Sequence, residues 1–292
     1  MRPLATIPGA PASDGGEAIE APSGKGAADE NFPVASLLVA RRLRPHVAAF
    51  YAFARAADDI ADSPALEPDE KLRRLDRFEA GLEPGAAGPA KAVRLRRSLD
   101  ASGVSDHHPR TLLDAFRMDA RKRRYSDWDE LAGYCRLSAH PVGRFMLDLH
   151  GEGERSAAGS DALTAALQVL NHLQDVKQDF TSLDRIYLPA DWMAAEGVAE
   201  ADLAAARASP GLRRVIDRCL DGCDAWLGQA ERLSGGIRSR RLAAEAAVIH
   251  ALARRLSRRL RREDPLAGRV RLGRADIAAA FLAGTRRLAL GR

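Results

Sequence analysis

The sequence from Asn171 to Pro189, NHLQDVKQDFTSLDRIYLP, carries the end of a polar stripe on a predicted helix. The stripe consists of Gln168, Asn171, Asp175 and Asp179, which are spaced three, four and four residues apart. At about 100° per residue these side chains fall on one helix face, whereas the residues between them are largely apolar. The helix therefore presents two amides and two carboxylates to water or to a polar cavity.

A second polar stripe lies upstream in the segment YAFARAADDIAD, and it consists of Tyr51, Arg55, Asp58, Asp59 and Asp62. Each stripe extends over about 16 Å, because an α-helix rises about 1.5 Å per residue. Two such helices facing each other would form a cleft lined by carboxylates. We expect the rest of the chain to pack around this cleft.

Carboxylates placed along one helix face repel one another, so a cation is expected to offset their charge. Mg²⁺ binds one or two carboxylates and leaves its remaining positions to water and substrate phosphates. The alternative is a solvated acidic face. The Ala- and Leu-rich surroundings of both stripes argue against that alternative, as do the Tyr, Arg and amide groups in register with the carboxylates. The pattern therefore predicts a Mg²⁺-bridged phosphate or diphosphate site.

Composition favours an all-α fold. Hydrophobic residues make up 46% of the 292-residue chain, which is enough for a sizeable core, and Ala, Leu and Arg are abundant. No apolar run is long enough to span a membrane. The three cysteines, Cys135, Cys219 and Cys223, form neither an even disulfide framework nor a metal-ligand pattern, which suits a reducing cytoplasm. We interpret Cys219 and Cys223 as buried small residues.

The chain divides into a tail and one domain. Residues 1–28 are rich in Pro, Gly, Ala and Ser without apolar periodicity, so we predict a disordered tail without a signal-peptide pattern. Residues 29–292 are predicted to form one helical domain, starting with a helical pattern at Asn31. The chain carries a net charge of +5, and its basic segment RRLSRRLRRED suits an anionic membrane surface. No nucleic-acid recognition motif accompanies these charges, so nucleic acid is not expected as a partner.

Apolar periodicity and helix-boundary residues predict a series of helices. In the last of them, Ile277, Phe281 and Leu288 are expected to face the interior. The predicted helices cover about residues 45–61, 67–81, 91–98, 111–124, 161–180, 210–234, 241–262 and 274–290.

A further helix is predicted to start at Ser126 or Asp127 and to break at Pro141. Proline removes a backbone donor and clashes with the preceding turn, so it interrupts an otherwise helical run. The break places His140 at an irregular position. Two interpretations of His140 remain open: it orients water or accepts a proton, or it caps the broken turn.

The segments YAFARAADDIAD, NHLQDVKQD and DRIYLP, together with SAHPVG, resemble the squalene and phytoene synthase family. The resemblance extends from Asn31 to the C-terminus. It implies an all-α isoprenoid synthase fold around a central cavity. It also implies that Mg²⁺ binds between the two aspartate motifs, with ligands among Asp58, Asp59, Asp62, Asn171, Asp175 and Asp179. Residues matching family positions near the substrate diphosphate are Tyr51, Arg55, Gln168, Asn171, Arg185 and Tyr187. For Arg55, an ion pair within its own helix is the alternative.

One segment departs from the usual family pattern. Where typical members carry a tyrosine before an Ala-Gly-x-Val-Gly string, this chain has Arg136 and Leu137, and His140-Pro141 replaces Gly-x. That tyrosine is assigned to the condensation of two prenyl diphosphates. Its replacement favours an enzyme that ionises presqualene diphosphate and captures water to give hydroxysqualene, without NADPH.

Within this expectation the catalytic residues are Asp58, Asp62, Asp175, Asp179 and His140. Other squalene-pathway enzymes and an anionic membrane are the expected partners, with a cytoplasmic location that extends to the inner membrane face. The alternatives are a head-to-head condensing synthase and a non-catalytic helical subunit of a membrane complex. A ferritin-like metal protein would require Glu-x-x-His pairs, which the sequence lacks.

Overall fold

The computed structural model of the protein describes residues 39–290, without the side chains of residues 283 and 286–290. The predicted tail, the helix start at Asn31 and the side chain of Leu288 lie outside this description. The boundaries of the predicted domain are likewise left as a prediction.

The described chain is all-α, as predicted, and contains no strand between residues 39 and 290. Two short 3₁₀ turns precede α7 and α9. The helices are α1 (Arg44–Asp62), α2 (Pro68–Ala80), α3 (Ala90–Ser102), α4 (His107–Asp119), α5 (Trp128–Ser138), α6 (His140–Leu149), α7 (Ala157–Leu183), α8 (Ala190–Ala195), α9 (Pro210–Ala230), α10 (Leu233–Gly236), α11 (Arg240–Leu260) and α12 (Arg274–Leu290).

The boundary of α4 differs from the predicted range of 111–124. The helix ends at Asp119, and the following segment instead runs beside the chain that leaves α7. Ile186 donates a backbone hydrogen bond to Arg123 O at 2.9 Å, and Ala190 donates one to Tyr125 O at 2.9 Å. These tertiary hydrogen bonds satisfy backbone groups that would otherwise continue the helix. They also hold the segment that begins directly after Arg185.

The predicted break at Pro141 is confirmed. Asp127 caps α5 by accepting a hydrogen bond from Glu130 N at 2.8 Å, and α5 ends at Ser138. Ala139 has φ −116° and ψ −46°, and α6 begins at His140 with Pro141 in its first turn. Proline is tolerated there because N–H groups in the first turn have no helical partner. The break allows α6 to change direction towards α7.

Two hydrophobic cores meet at α6. One core contains residues of α1, α2, α3 and α4, and the other contains residues of α5, α7, α9 and α11. Phe145 packs in the first core, where its ring stacks on Phe50 at a centroid distance of 4.1 Å. Leu147 packs in the second core, and Met146 contacts both. Removing these side chains from water is the main force that holds the two helix groups together.

The inward face of α12 was predicted incorrectly. Ile277 is 42% exposed and Phe281 is 38% exposed, whereas Ala280 and Gly284 are buried. A Cβ atom at Gly284 would lie 2.4 Å from Val248 Cγ2. The helix approaches α11 so closely that only small residues fit between them. Close packing therefore overrode the preference of the large apolar residues for burial.

All three cysteines are buried thiols without disulfide bonds, as predicted for Cys219 and Cys223. Within residues 39–290, no helix is both long enough and apolar enough to cross a bilayer.

Gly222 on α9 lies against an aromatic stack, because a Cβ atom there would approach Trp128 Cζ2 to 2.3 Å. Trp128 stacks on Trp192 and Trp226 at 5.4 and 4.8 Å, so its ring has little room to move. We expect Gly222→Ala to lower the free energy of unfolding by about 1–3 kcal/mol, measured by urea denaturation.

Gly228→Ala on the same helix is the matched control. A Cβ atom at Gly228 meets nothing within 4 Å, so alanine should stabilise the helix by up to about 1 kcal/mol. Equal effects of the two substitutions would contradict the packing argument.

Candidate active site

A cavity of about 700 Å³ is enclosed by α1, α6, α7, α10 and α11. Eight of the residues predicted for the site line it: Tyr51, Arg55, Asp58, Asp62, Gln168, Asn171, Asp175 and Asp179. The structure thus brings the two polar stripes to opposite walls of one space. This arrangement is the cleft that helical spacing predicted.

Four other predicted residues lie outside the cavity lining. Asp59 binds Arg55, and His140 lies on α6 with its Nδ1 3.6 Å from Asp161 Oδ2. Arg185 and Tyr187 are buried behind the wall, next to Asp119. The roles of these four residues stay predictions. Arg185 and Tyr187 can affect a ligand only by positioning residues that line the cavity.

The cavity is polar at one end and apolar at the other. On α1, Val47 and Phe50 precede the acidic residues, and on α7, Leu163 and Leu167 precede them in the same direction along the helix. The end of α10 lies near the start of α7, because a Cβ atom at Gly236 would lie 3.3 Å from Ser156 Oγ. The apolar ends of these helices therefore meet. The result is one acidic end that opens into a mainly apolar chamber, whose lining also contains Ser160, Thr164 and the buried Glu245.

The acidic face of α1 contains its own counter-charge. Arg55 lies 3.0 Å from an oxygen of Asp58 and 2.6 Å from one of Asp59, so it makes ion pairs within its own helix, and its role towards a diphosphate stays a prediction. Burial and the negative charge of Asp62 raise the pKa of Asp58 above its usual range. A cation near Asp58 and Asp62 would relieve this repulsion.

The acidic face of α7 is held by a different set of contacts. Arg269, on the segment between α11 and α12, donates Nη2 to Asp175 Oδ2 at 2.9 Å, and its Nε lies 2.8 Å from Asp175 Oδ1 as an ion pair. Asp179 Oδ2 lies 3.7 Å from His172 Nδ1, and His172 Nε2 lies 3.2 Å from Gln168 Nε2. Both Arg269 and His172 line the cavity.

Arg185 joins the segment after α7 to the acidic face of α1 from behind the cavity wall. Its guanidinium pairs with Asp62 and donates to the backbone oxygens of Ala61 at 3.0 Å and Asp119 at 2.9 Å. The residue is only 6% exposed. Asp184, with φ 52°, ends α7 and turns the chain so that Arg185 points towards α1.

The sequence analysis missed four residues of this site: Asp119, Tyr134, His172 and Arg269. His172 is within the quoted stretch, but it falls between the residues of the polar stripe. Asp119 and Tyr134 lie in segments that read as ordinary helix, and Arg269 is one of many arginines near the C-terminus. Helical spacing within one segment could not identify them, because their partners come from other helices.

Asp119 is a buried carboxylate whose titration should appear in the stability of the protein. Burial raises its pKa to about 6, although the charge of Arg185 and a hydrogen bond from Tyr134 oppose the increase. In the unfolded chain an aspartate titrates at about 3.9. Protonation of Asp119 therefore favours the native state below about pH 4, and this contribution is lost as the pH rises through about 6.

We accordingly expect Asp119→Asn to gain stability relative to the wild type as the pH is raised from about 4 to 7, measured by urea unfolding at stepped pH. The difference in free energy of unfolding should be constant above about pH 7. A difference that does not change across this window would show that Asp119 titrates normally.

Within residues 39–290, no three His, Cys, Asp or Glu side chains already form a metal site. The donor chemistry at the acidic end nevertheless fits a hard divalent cation. Asn171 Oδ1 is buried at the cavity wall and has no hydrogen-bond partner among the described residues. Carboxylates of Asp58, Asp62, Asp175 and Asp179 share the same end. An amide oxygen and carboxylate oxygens are the ligands that such cations prefer.

A family model described as squalene/phytoene synthase matches residues 26–276. The chain belongs to the squalene/phytoene synthase family. This membership confirms the resemblance that the aspartate motifs indicated.

Relatives within this family match most of the chain. A hydroxysqualene synthase of Rhodopseudomonas palustris is 47% identical over 255 residues, covering 87% of each chain. A hydroxysqualene synthase of Zymomonas mobilis is 43% identical over 270 residues, covering 91% of each chain. The crystal structure of a squalene synthase from Alicyclobacillus acidocaldarius superposes with a TM-score of 0.69 at 33% identity, covering 85% of this chain and 92% of that one. A dehydrosqualene synthase structure with a TM-score of 0.72 and 21% identity, covering 90% and 93% of the two chains, shows the same fold.

Proposed function

We propose that this enzyme ionises presqualene diphosphate and captures water to give hydroxysqualene and diphosphate, as a step of squalene and hopanoid biosynthesis. The observation that carries the proposal is the cavity, whose acidic end joins an apolar chamber. The acidic end suits a diphosphate with its cations, and the apolar chamber suits a thirty-carbon chain. The hydroxysqualene synthases similar to this chain support the choice of reaction.

Mg²⁺ would be held by carboxylates of Asp58, Asp62, Asp175 and Asp179 and by Asn171 Oδ1. When bound, it would neutralise negative charge on the leaving diphosphate. Tyr51 and Arg55 line the same end of the cavity. We assign them to holding the diphosphate oxygens, since a guanidinium binds such oxygens in a bidentate manner. Gln168 would contact the substrate one turn closer to the apolar chamber.

Ionisation breaks the bond between carbon and the diphosphate oxygen, and the electron pair leaves with the diphosphate. The cation that remains must be kept from premature capture by water. Phe50, Leu163, Leu167 and Ile249 supply apolar walls for this purpose. The cyclopropylcarbinyl cation then rearranges as a bond of its ring breaks. Water forms the new carbon–oxygen bond to the rearranged cation and loses one proton, so no reductant such as NADPH is consumed.

The segment that departs from the family pattern supports this reaction over condensation of two prenyl diphosphates. Arg136 is exposed, and neither Arg136 nor Leu137 lines the cavity. The tyrosine associated with condensation therefore has no counterpart at these positions.

The apolar substrate suggests contact with a membrane. Arg254, Arg258 and Arg262 are exposed and spaced four residues apart near the end of α11, so they form one basic stripe. We propose that this stripe binds anionic lipid at the inner face of the cytoplasmic membrane, where other squalene-pathway enzymes would supply the substrate. Sedimentation with anionic vesicles, but not with neutral ones, tests this proposal.

The deciding experiment incubates the purified enzyme with Mg²⁺ and presqualene diphosphate, without NADPH, and identifies the lipid product by mass spectrometry. Hydroxysqualene is the expected product. A parallel incubation contains only farnesyl diphosphate. Presqualene diphosphate or a phytoene-like hydrocarbon in that incubation would instead assign the enzyme to head-to-head condensation.

A further inference from the structure

Asp119 is a buried carboxylate at the end of α4, 7% exposed, that binds residues from two other segments. Tyr134 on α5 donates its hydroxyl to Asp119 Oδ2 at 2.8 Å. Tyr187, on the segment after α7, donates its hydroxyl to Asp119 Oδ1 at 3.2 Å. Both carboxylate oxygens are thus used, and neither faces the cavity. Burying a carboxylate destabilises the folded state unless its hydrogen bonds replace the lost hydration. The two tyrosine hydroxyls supply such hydrogen bonds to Asp119.

On one side, Asp119 is connected to the acidic face of α1. Its backbone oxygen accepts a hydrogen bond from Arg185, and the same guanidinium pairs with Asp62. The charge of Asp119 also acts on Arg185, because it raises the pKa of that guanidinium against the effect of burial. Arg185 is therefore shared between Asp62, which lines the cavity, and Asp119, which does not.

On the other side, Asp119 is connected to the polar face of α7. The ring of Tyr187 stacks on His172 with centroids 3.5 Å apart and planes inclined by 11°. His172 lies between Gln168, at 3.2 Å, and Asp179, at 3.7 Å. The stack covers one face of the ring and Gln168 lies within hydrogen-bond distance of Nε2, whereas Asp179, at 3.7 Å from Nδ1, is a longer contact. The stack therefore limits where the Gln168 and Asp179 side chains can move.

We propose that Asp119, Tyr187 and His172 form a positioning chain that holds the two acidic faces in register for one diphosphate and its divalent cations. Asp62 is held through Arg185, and Asp179 is held through His172. None of the three is a catalytic residue, because the chain acts through Asp62, Asp179 and Gln168. The proposal rests on the proposed function in one respect, namely that the ligands are Mg²⁺ and a diphosphate.

Asp119 would also control how strongly Arg185 competes with the cation. If Asp119 loses its charge, Arg185 is left with Asp62 as its carboxylate partner in this cluster and binds it more tightly. Asp62 is then less available to a divalent cation. A substitution that does not lower the stability of the protein should therefore still weaken its binding of Mg²⁺ and diphosphate.

The test measures binding of inorganic diphosphate in the presence of Mg²⁺ by isothermal titration calorimetry, so that no turnover is needed. Tyr187→Phe keeps the stacked ring and removes the hydroxyl, and we expect it to weaken binding about three- to tenfold, as expected for one lost hydrogen bond. Asp119→Asn should weaken binding by about tenfold or more while it unfolds at a urea concentration no lower than the wild type at pH 7.

Tyr125→Phe is the matched control. Tyr125 lies in the same aromatic cluster, with its ring 5.6 Å from that of Tyr187, and its buried hydroxyl has no hydrogen-bond partner among the described residues. Its removal should leave binding unchanged. A similar loss of affinity in Tyr125→Phe and Tyr187→Phe would reduce the effect to general packing and overturn the proposal.

Two further outcomes separate this inference from the proposed function. If the wild type converts presqualene diphosphate and binds Mg²⁺ and diphosphate, but both Tyr187→Phe and Asp119→Asn bind them equally well, the positioning chain is wrong and the function stands. If the wild type itself neither binds diphosphate nor converts the substrate, the proposed function fails first.

Discussion

Asp175→Asn is expected to reduce release of diphosphate from presqualene diphosphate by about 10²- to 10³-fold, because an amide cannot balance the charge of a cation that offsets the leaving group. Asp175 lies in the middle of the acidic face of α7 and is bound by Arg269 at both oxygens. The effect should appear in the rate of the chemical step, measured as inorganic diphosphate formed at saturating substrate.

The fold of this variant should be intact. Asp175 lines the cavity rather than the core, and asparagine has nearly the same shape. Circular dichroism and urea unfolding should therefore resemble the wild type, with a change of at most about 1 kcal/mol for a partly exposed ion pair. Asp129→Asn, an exposed carboxylate on α5, is the matched control and should leave the rate unchanged. Full turnover by Asp175→Asn would contradict the assignment of the cavity as the active site.

Arg185→Met is expected to lower the free energy of unfolding by about 3–5 kcal/mol. Methionine fills part of the space of the arginine stem, but it leaves Asp62 and the carbonyls of Ala61 and Asp119 without their buried donor. The two carbonyls are buried and the Asp62 side chain is only 21% exposed, and leaving such acceptors without a donor is among the costly effects of a single substitution. The measurement is urea denaturation followed by far-UV circular dichroism.

Arg123→Met provides the matched control for this effect. Arg123 lies on the neighbouring segment, is 49% exposed at its side chain, and pairs with Asp184 at the surface. Its replacement should cost less than about 1 kcal/mol. If both variants lose the same stability, burial of the Arg185 ion pair is not what stabilises this junction.

Periodicity within single segments was sufficient to identify the main features of this protein. Residues three or four positions apart share a helix face whatever the helix packs against. The stripes on α1 and α7 could therefore be predicted without knowledge of any tertiary contact. The break before α6 and the cap of α5 were predicted for the same local reason, since Pro141 and Asp127 act on their own backbone. The all-α class and the family followed from these local features.

Features that depend on contacts between two segments could not be predicted from periodicity. The end of α4 at Asp119 is set by hydrogen bonds to the chain that leaves α7, and the inward face of α12 is set by its close approach to α11. Sequence periodicity contains no information about how near a neighbouring helix lies. The predicted boundary of α4 and the predicted burial of Ile277 and Phe281 were wrong for that reason.

The sequence by itself determined most of the side chains that line the acidic end of the cavity, because those side chains are aligned by the geometry of one helix each. Only the tertiary structure decided how the two faces are held together. Asp119, His172 and Arg269 contribute through partners 50 or more residues away or through stacking on another segment. Such contacts form when the core packs and brings groups from distant parts of the sequence together. Polar groups that are buried there need partners for their charges and hydrogen bonds, and helical spacing does not predict those partners.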